Sequence, residues 1–371
     1  MSESIKALTM PKWGLSMKEG KVASWLMQEG TSISPGNEVL EVETEKISSA
    51  VESSEGGVLR RIVAREGETL PVGALLAVIA GANDTNEAID AFVAEFQKNY
   101  VPPADDDDDS GPKTQVIEVK GRAIRYLRQG DGGTPLILIH GFGGDLNNWL
   151  FNQESLAAKR TVISFDLPGH GQSSKQVGNA NFGELTQVVH DVMDALSVPK
   201  AHLAGHSMGG AIAIDMALAH PGRVASLTLI APAGLGPEIN GGYIDGFIEA
   251  TGRRDIKPHL EQLFANAELV SRQMINDILA YKRLDGVDAA LRALRDKIFP
   301  GGKQATVLRE KLGSLAMPIQ VIWGEGDAIV PAKQAQGLPA SVRVHVLKGA
   351  GHMPQMEAAA EVNKLIEAQL G

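Results

Sequence analysis

Between residues 101 and 112 the chain reads VPPADDDDDSGP. The five consecutive aspartates, Asp105–Asp109, repel one another and bury nothing, and the flanking prolines favour extended backbone. A single hydrophobic core does not run through such a stretch. The 371-residue chain is therefore expected to fold as separate units on either side of it. The other reading, an acidic surface loop within one domain, fits less well, because the residues on the two sides follow different patterns. The expected organisation is a first domain at 1–80, a short amphipathic helix within 81–100, an acidic Pro/Asp-rich linker at 101–113, and a second domain at 114–371.

Residues 1–80 repeat themselves. GKVASWLMQEGTSISPGNEVLEV, from Gly20, matches GVLRRIVAREGETLPVGALLAVI, from Gly57, at an offset of 37 residues. Glu29-Gly30 aligns with Glu66-Gly67, and Gly36 with Gly73. Val22, Ile33 and Val39 align with Leu59, Leu70 and Leu76. Short apolar-alternating runs between glycine turns are strands. Two matching halves of this size imply an all-β flattened sandwich with quasi-twofold symmetry. EVETEKISSAVESS (41–54) joins the halves, which puts Lys46 at an exposed hairpin turn among carboxylates. In AIDAFVAEFQ, residues Ile89, Phe92, Val93 and Phe96 share one helical face. That face either packs on its own protein or docks on a partner subunit.

After the linker, near-continuous apolar strands alternate with helices. The pattern predicts a mostly parallel sheet covered by helices. The alternation breaks over 235–313, where helix-like text reads as a lid inserted between two strands. Gly205-His206-Ser207-Met208-Gly209 fits G-x-S-x-G between the apolar strand AHLA and an alanine-rich helix. A tight strand-to-helix turn of small residues exposes the Ser207 hydroxyl at the sheet edge. Asp327, in WGEGDAIVP, and His352, in GAGHMPQ, follow in the order Ser, Asp, His at further strand ends. His352 is expected to act as base and Asp327 to hold its tautomer, with the backbone N–H groups of Met208 and Phe142 receiving oxyanion charge. His206, His140 and His170 are read as surroundings of the site, and Asp145 as a weak pocket candidate. Arg253, Arg254 and Lys257 could meet phosphates or could form a solvated helix end.

Composition closes off other chemistries. The absence of cysteine excludes disulfides, thiolate catalysis and cysteine-ligated metals. No compact metal motif appears, and HGFGG lacks the G-K-[ST] ending of a phosphate loop. A net charge of −10 argues against nonspecific nucleic-acid or anionic-membrane binding. With neither a signal pattern nor an apolar run of spanning length, the expected location is cytoplasmic.

Residues 1–80 resemble a lipoyl domain. The motifs are MPKWGLSM (10–17), Glu19-Gly20, EVETEK and EGGVLRRI (55–62). The resemblance implies lipoic acid in amide linkage on Lys46. Glu45-Lys46-Ile47, in place of the Met-Lys-Met of related biotin domains, favours lipoate. Residues 114–371 resemble the α/β-hydrolase superfamily at Ser207, Asp327, His352, the Gly141-Phe142 oxyanion loop and DLPGHGQS (166–173). Together the two halves resemble the dihydrolipoamide acetyltransferase components of bacterial acetoin-cleaving systems. Neither the H-x-x-x-D-G motif of ordinary lipoyl acyltransferases nor a subunit-binding domain is found.

That resemblance implies a thiamine-diphosphate-dependent acetoin-cleaving partner, a dihydrolipoamide dehydrogenase and a lipoylating enzyme. It also implies acetyl transfer from the lipoyl arm on Lys46 to coenzyme A through an acyl-Ser207. Two alternatives are carried forward. One is a thioesterase releasing acetate from the arm. The other is a lipoyl carrier whose second domain is not catalytic.

Overall fold

The computed structural model describes residues 5–11, 17–44, 48–81, 83–100 and 113–371. It divides into two compact units, one comprising Met1–Gly111 and Ser271–Met274 and one comprising Pro112–Val270 and Ile275–Gly371. Lys46 and the acidic run at 101–112 lie outside the described residues.

The first unit contains strands β1 (Lys6–Thr9), β2 (Glu19–Trp25), β3 (Ser32–Ile33), β4 (Glu38–Glu43), β5 (Ser48–Glu52), β6 (Gly57–Ile62), β7 (Thr69–Pro71) and β8 (Leu75–Ala80). They form two four-stranded sheets, ordered β1-β8-β6-β3 and β5-β4-β2-β7. The repeat explains this arrangement, since exchanging β2 with β6, β3 with β7, β4 with β8 and β1 with β5 turns one sheet into the other. Val22, Leu59, Val39 and Leu76, the aligned apolar pairs, are fully buried between the sheets. Gly36 and Gly73 occupy equivalent turns at φ 88° and 83°, a region open to glycine without steric cost. Strands β4 and β5 pair antiparallel out to Glu43 opposite Ser48.

Helix α1 (Asn86–Asn99) starts at Thr85, whose side chain accepts from the Ala88 N–H at 3.2 Å. Its Ile89 is buried with Leu75, Val78 and Ala80, and Phe92, Val93 and Phe96 pack around them. The apolar face of the helix therefore lies on its own unit, covering β8. The chain after it is held by the Tyr100 hydroxyl, which donates to the Val72 carbonyl at 2.8 Å.

The second unit is built on an eight-stranded sheet of β9 (Gln115–Val119), β10 (Arg122–Gln129), β11 (Leu136–Ile139), β12 (Val162–Phe165), β13 (Ala201–His206), β14 (Val224–Ile230), β15 (Ile319–Gly324) and β16 (Val342–Leu347). Their order is β16-β15-β14-β13-β11-β12-β10-β9. The first two strands form an antiparallel hairpin, β10 joins β12 antiparallel, and the other pairs are parallel. The central strands β11, β12 and β15 are buried at every residue, as strands covered on both faces must be.

Helices α2 (Gln153–Ala157), α3 (Phe182–Ala195) and α4 (Met208–Ala219) follow the early strands. Between β14 and β15 the chain forms α5 (Gly241–Glu249), α6 (Arg253–Glu261), α7 (Arg272–Lys282) and α8 (Val287–Ile298), the helical lid. It ends with α9 (Pro354–Glu357) and α10 (Ala359–Leu370). Loops leaving the C-terminal ends of the parallel strands carry the candidate chemistry, where open α/β sheets place their sites.

Candidate active site

Ser207 stands between β13 and α4 at φ 52° and ψ −117°, a strained conformation for a residue with a side chain. Its surroundings enforce it. The Ser207 N–H donates to the Ile230 carbonyl at 3.0 Å, and its own carbonyl accepts from Gly210 and Ala233, each at 2.9 Å. The glycines of G-x-S-x-G permit close approach: a Cβ on Gly205 would lie 2.2 Å from the Gly209 oxygen, and one on Gly209 would lie 2.2 Å from the Ile139 oxygen. Met208 opens α4, where first-turn N–H groups lack intrahelical acceptors. Gly141 backs onto the serine, since a Cβ there would be 3.0 Å from the Ser207 Cβ. The next amide in the chain is that of Phe142. The Phe142 ring sits edge-on against Phe299, His170 and Phe247, at centroid distances of 5.8, 6.1 and 6.3 Å.

Asp327 and His352 meet at 2.8 Å between Oδ2 and Nδ1, both side chains buried. Asp327 is held by three further donors: Trp323 Nε1 at 2.9 Å, and the N–H groups of Ile329 and Val330 at 2.8 and 2.9 Å. A carboxylate so placed accepts the Nδ1 proton, which leaves Nε2 of His352 with a free lone pair. The His352 backbone is tied on both sides. Its N–H donates to Leu263 and its carbonyl accepts from His206 Nε2, each at 2.8 Å. His206 thus links the residue before the serine to the histidine loop, and burial pushes its pKa well down.

The other sequence candidates separate by contact. His140 Nε2 accepts from Leu167 N at 2.9 Å, so its Nδ1–H donates to Gly141 O at 2.8 Å and braces the 141–142 loop. His170 Nδ1 donates to Pro168 O at 3.0 Å, and its buried Nε2 has no partner among the described residues. Burial lowers both imidazoles below the ordinary range, His170 strongly.

Asp145 is engaged elsewhere. It caps the turn at 146–149 and faces Arg125 at 3.7 Å, while burial and the neighbouring Asp166 push its carboxyl up to about 6. Among Arg253, Arg254 and Lys257, Arg253 Nε donates to Asn276 at 2.8 Å and Lys257 pairs with Glu261 at 3.3 Å. The buried Arg125–Asp166 pair was not singled out from sequence. Asp166 accepts from Arg125 Nε at 2.7 Å and from the N–H groups of Leu146 and Gln172 at 2.9 and 2.8 Å, which joins the two loops beside the site. The signal available for it was the first residue of DLPGHGQS, an acid at a strand end.

No helix among the described residues is long and apolar enough to cross a membrane. His190, Asp191 and Asp194 could group around a metal ion, but Arg223 donates to both His190 Nε2 and Asp194, at 2.9 and 2.8 Å.

Residues 134–359 match the family described as alpha/beta hydrolase fold, and residues 6–79 the family described as biotin-requiring enzyme. The chain is 54% identical to the dihydrolipoyllysine-residue acetyltransferase component of the acetoin cleaving system of Pseudomonas putida, over 99% of this chain and 98% of that one. It is 46% identical to the component of the same name from Cupriavidus necator, over 100% and 99% of the two chains. The chain also matches a 2-hydroxy-6-oxononadienedioate/2-hydroxy-6-oxononatrienedioate hydrolase of Cupriavidus pinatubonensis, at 30% identity over 65% of this chain and 88% of that one. Among solved structures, a bacterial membrane phospholipase A is 27% identical, with a TM-score of 0.61, over 70% of this chain and 86% of that one.

These hydrolase likenesses correct one expectation, the transfer of acetyl to coenzyme A. The physical reason is that a Ser-His-Asp triad needs only water as acceptor, while of Arg253, Arg254 and Lys257, the cations considered for coenzyme A phosphates, Arg253 donates to Asn276 and Lys257 pairs with Glu261. The hydrolytic alternative is the better supported one. The lipoyl-type unit, the hydrolase-fold unit and the whole-length identities agree on kinship: the chain is an enzyme belonging to the family of dihydrolipoyllysine-residue acetyltransferase components of acetoin cleaving systems.

Proposed function

We propose that the second unit is a serine thioesterase, releasing a short carboxylic acid from an acyl thioester of a dihydrolipoyl-type thiol. The observation that carries this reading is the 2.8 Å Asp327–His352 contact, on a loop bonded to the residue preceding the strained Ser207. His352 Nε2 takes the Ser207 proton as Oγ bonds to the thioester carbonyl carbon. The N–H groups of Met208 and Phe142 receive the oxyanion, each worth about 3 kcal/mol of transition-state stabilisation. The C–S bond then breaks and His352 protonates the leaving thiol. Water attacks acyl-Ser207 with His352 again as base, the carboxylic acid leaves, and the proton returns to Oγ.

Residues 1–80 are read as the unit that bears the arm, 101–113 as the linker and 114–371 as the catalytic unit. Lys46 stands in the sequence between β4 and β5, which pair antiparallel as far as Glu43 and Ser48. When attached there, lipoic acid supplies a dithiol that holds an acyl group as a thioester. A lipoylating enzyme, a thiamine-diphosphate-dependent acetoin-cleaving component and dihydrolipoamide dehydrogenase are the partners this reading calls for, in keeping with the names of the relatives.

The test uses the full chain with S-acetyl-dihydrolipoamide. Acetate release is expected, about 10³-fold or more slower in Ser207→Ala. No acetate from the unaltered protein, or an equal rate from Ser207→Ala, would overturn the reading.

A further inference from the structure

His352 follows Gly349-Ala350-Gly351, a segment whose two glycines give it little stiffness of its own. What fixes this segment is a set of hydrogen bonds, and two of the anchors involve the lid. The His352 N–H donates to Leu263, in the lid segment that follows α6. The other anchor runs through Glu357 of α9. Its Oε1 accepts from the Gly351 N–H and its Oε2 from the Ala265 N–H, both at 2.7 Å. The lid backbone lies directly against the histidine loop, since a Cβ on Gly351 would fall 2.7 Å from Ala265 N and 2.8 Å from the Phe264 carbonyl carbon. The Glu357 carboxylate accepts from the backbone N–H groups of Ala265, Gly351 and Met353. Its charge is spent on backbone N–H groups, the strong class of hydrogen bond.

We propose that Glu357 is a positioning residue, a carboxylate clamp that locks the lid backbone at Ala265 to the loop at Gly351 and thereby holds the His352 ring between Asp327 and Ser207. The lid is then part of the scaffold of the base as well as a cover. This inference rests on the Ser207–His352 reading above. Glutamine at 357 keeps the size but offers one acceptor oxygen and one N–H group, and the latter faces a backbone donor. One side of the clamp opens, and the base loses its fixed place while the substrate pocket keeps its walls.

The experiment measures three quantities on the full chain and on Glu357→Gln. They are the rate at which a small fluorophosphonate modifies Ser207, located by mass spectrometry; kcat and KM for S-acetyl-dihydrolipoamide; and the thermal midpoint. The expected result is a fall of about 10- to 100-fold in both the phosphonylation rate and kcat, with KM within about twofold. If Glu357→Gln does not fold, Glu357→Asp is read in its place, since it keeps the charge and loses one methylene of reach. A folded variant with unaltered phosphonylation and kcat overturns the clamp, as does a rise in KM alone. If Ser207 of the unaltered protein resists the reagent, the underlying active-site reading falls, an outcome separate from failure of the clamp.

Discussion

Ser207 holds a conformation that serine adopts only under constraint, and the constraint is visible in the close contacts of Gly205, Gly209 and Gly141. Strain of this kind costs about 1–3 kcal/mol and is retained where function uses it. Ser207→Gly should remove the strain along with the nucleophile. The expected outcome is a variant without thioesterase activity whose urea-unfolding free energy is higher by about 1 kcal/mol, after the entropy that glycine adds to the unfolded chain is subtracted. A variant less stable than the parent would show that the elbow stores no strain. The serine was legible in the sequence because its motif is local, five residues between a strand and a helix. Asp327 and His352 were legible because each lies in the loop after a strand, in the fold's chain order. Glu357 was not legible. One of its partners is a backbone N–H 92 residues away, in a lid whose sequence has no recognisable pattern.

The first unit was readable at the level of elements because its repeat equates β2 with β6 and β4 with β8, and its alternation gives the buried faces. The lid was readable only as an interruption, because side chains bonded to distant main-chain atoms position its helices. Lys282, at the end of α7, donates to the carbonyls of Phe247, Ile248 and Ala250 at the C-terminal end of α5, and its ammonium lies 5.1 Å from the Phe247 ring centroid. A cation at a helix C-terminus satisfies carbonyls that the helix cannot and complements its dipole. Phe247 in turn packs on Phe142 and lies where a side chain on Gly143 would collide with it. Lys282→Met keeps most of the stem and removes the three donors. It should lower local stability of α5 by about 2 kcal/mol. Amide exchange over 241–249 would then accelerate by about 30-fold, with α3 and α4 unchanged. Equal exchange in α5 before and after the substitution would mean that the lysine contributes nothing to the lid.

All nine histidines of the chain lie at residue 140 or beyond, so the second unit alone carries their titration. Burial holds His140, His170 and His206 below the ordinary value of 6.5, the latter two well below it. A group whose folded pKa is lowered contributes stability that is present above its unfolded pKa and lost as pH falls below it, because only the unfolded chain takes up the proton. Asp145, raised from 3.8 to about 6, works in the opposite sense. The folded state protonates it first, so it stabilises as pH falls through 6 and offsets part of the loss. Burial raises Glu357 in the same direction.

His202, lowered to about 4, and His220 and His345, also lowered by burial, add to these three imidazoles, so against the two raised carboxyls unfolding takes up protons on balance near pH 5.5. The second unit should therefore lose stability as pH falls from 6 to 5. Pulse proteolysis in urea, read by mass spectrometry, follows the two units separately, and the first unit, without histidine, is the internal control. His170→Asn keeps a donor for the Pro168 carbonyl and removes the titrating ring. It should reduce the slope by about 1.4 kcal/mol per pH unit, the value of one proton. An unchanged slope in His170→Asn would show that this ring accepts its proton in the folded protein, and that the unpartnered Nε2 is not sealed from water.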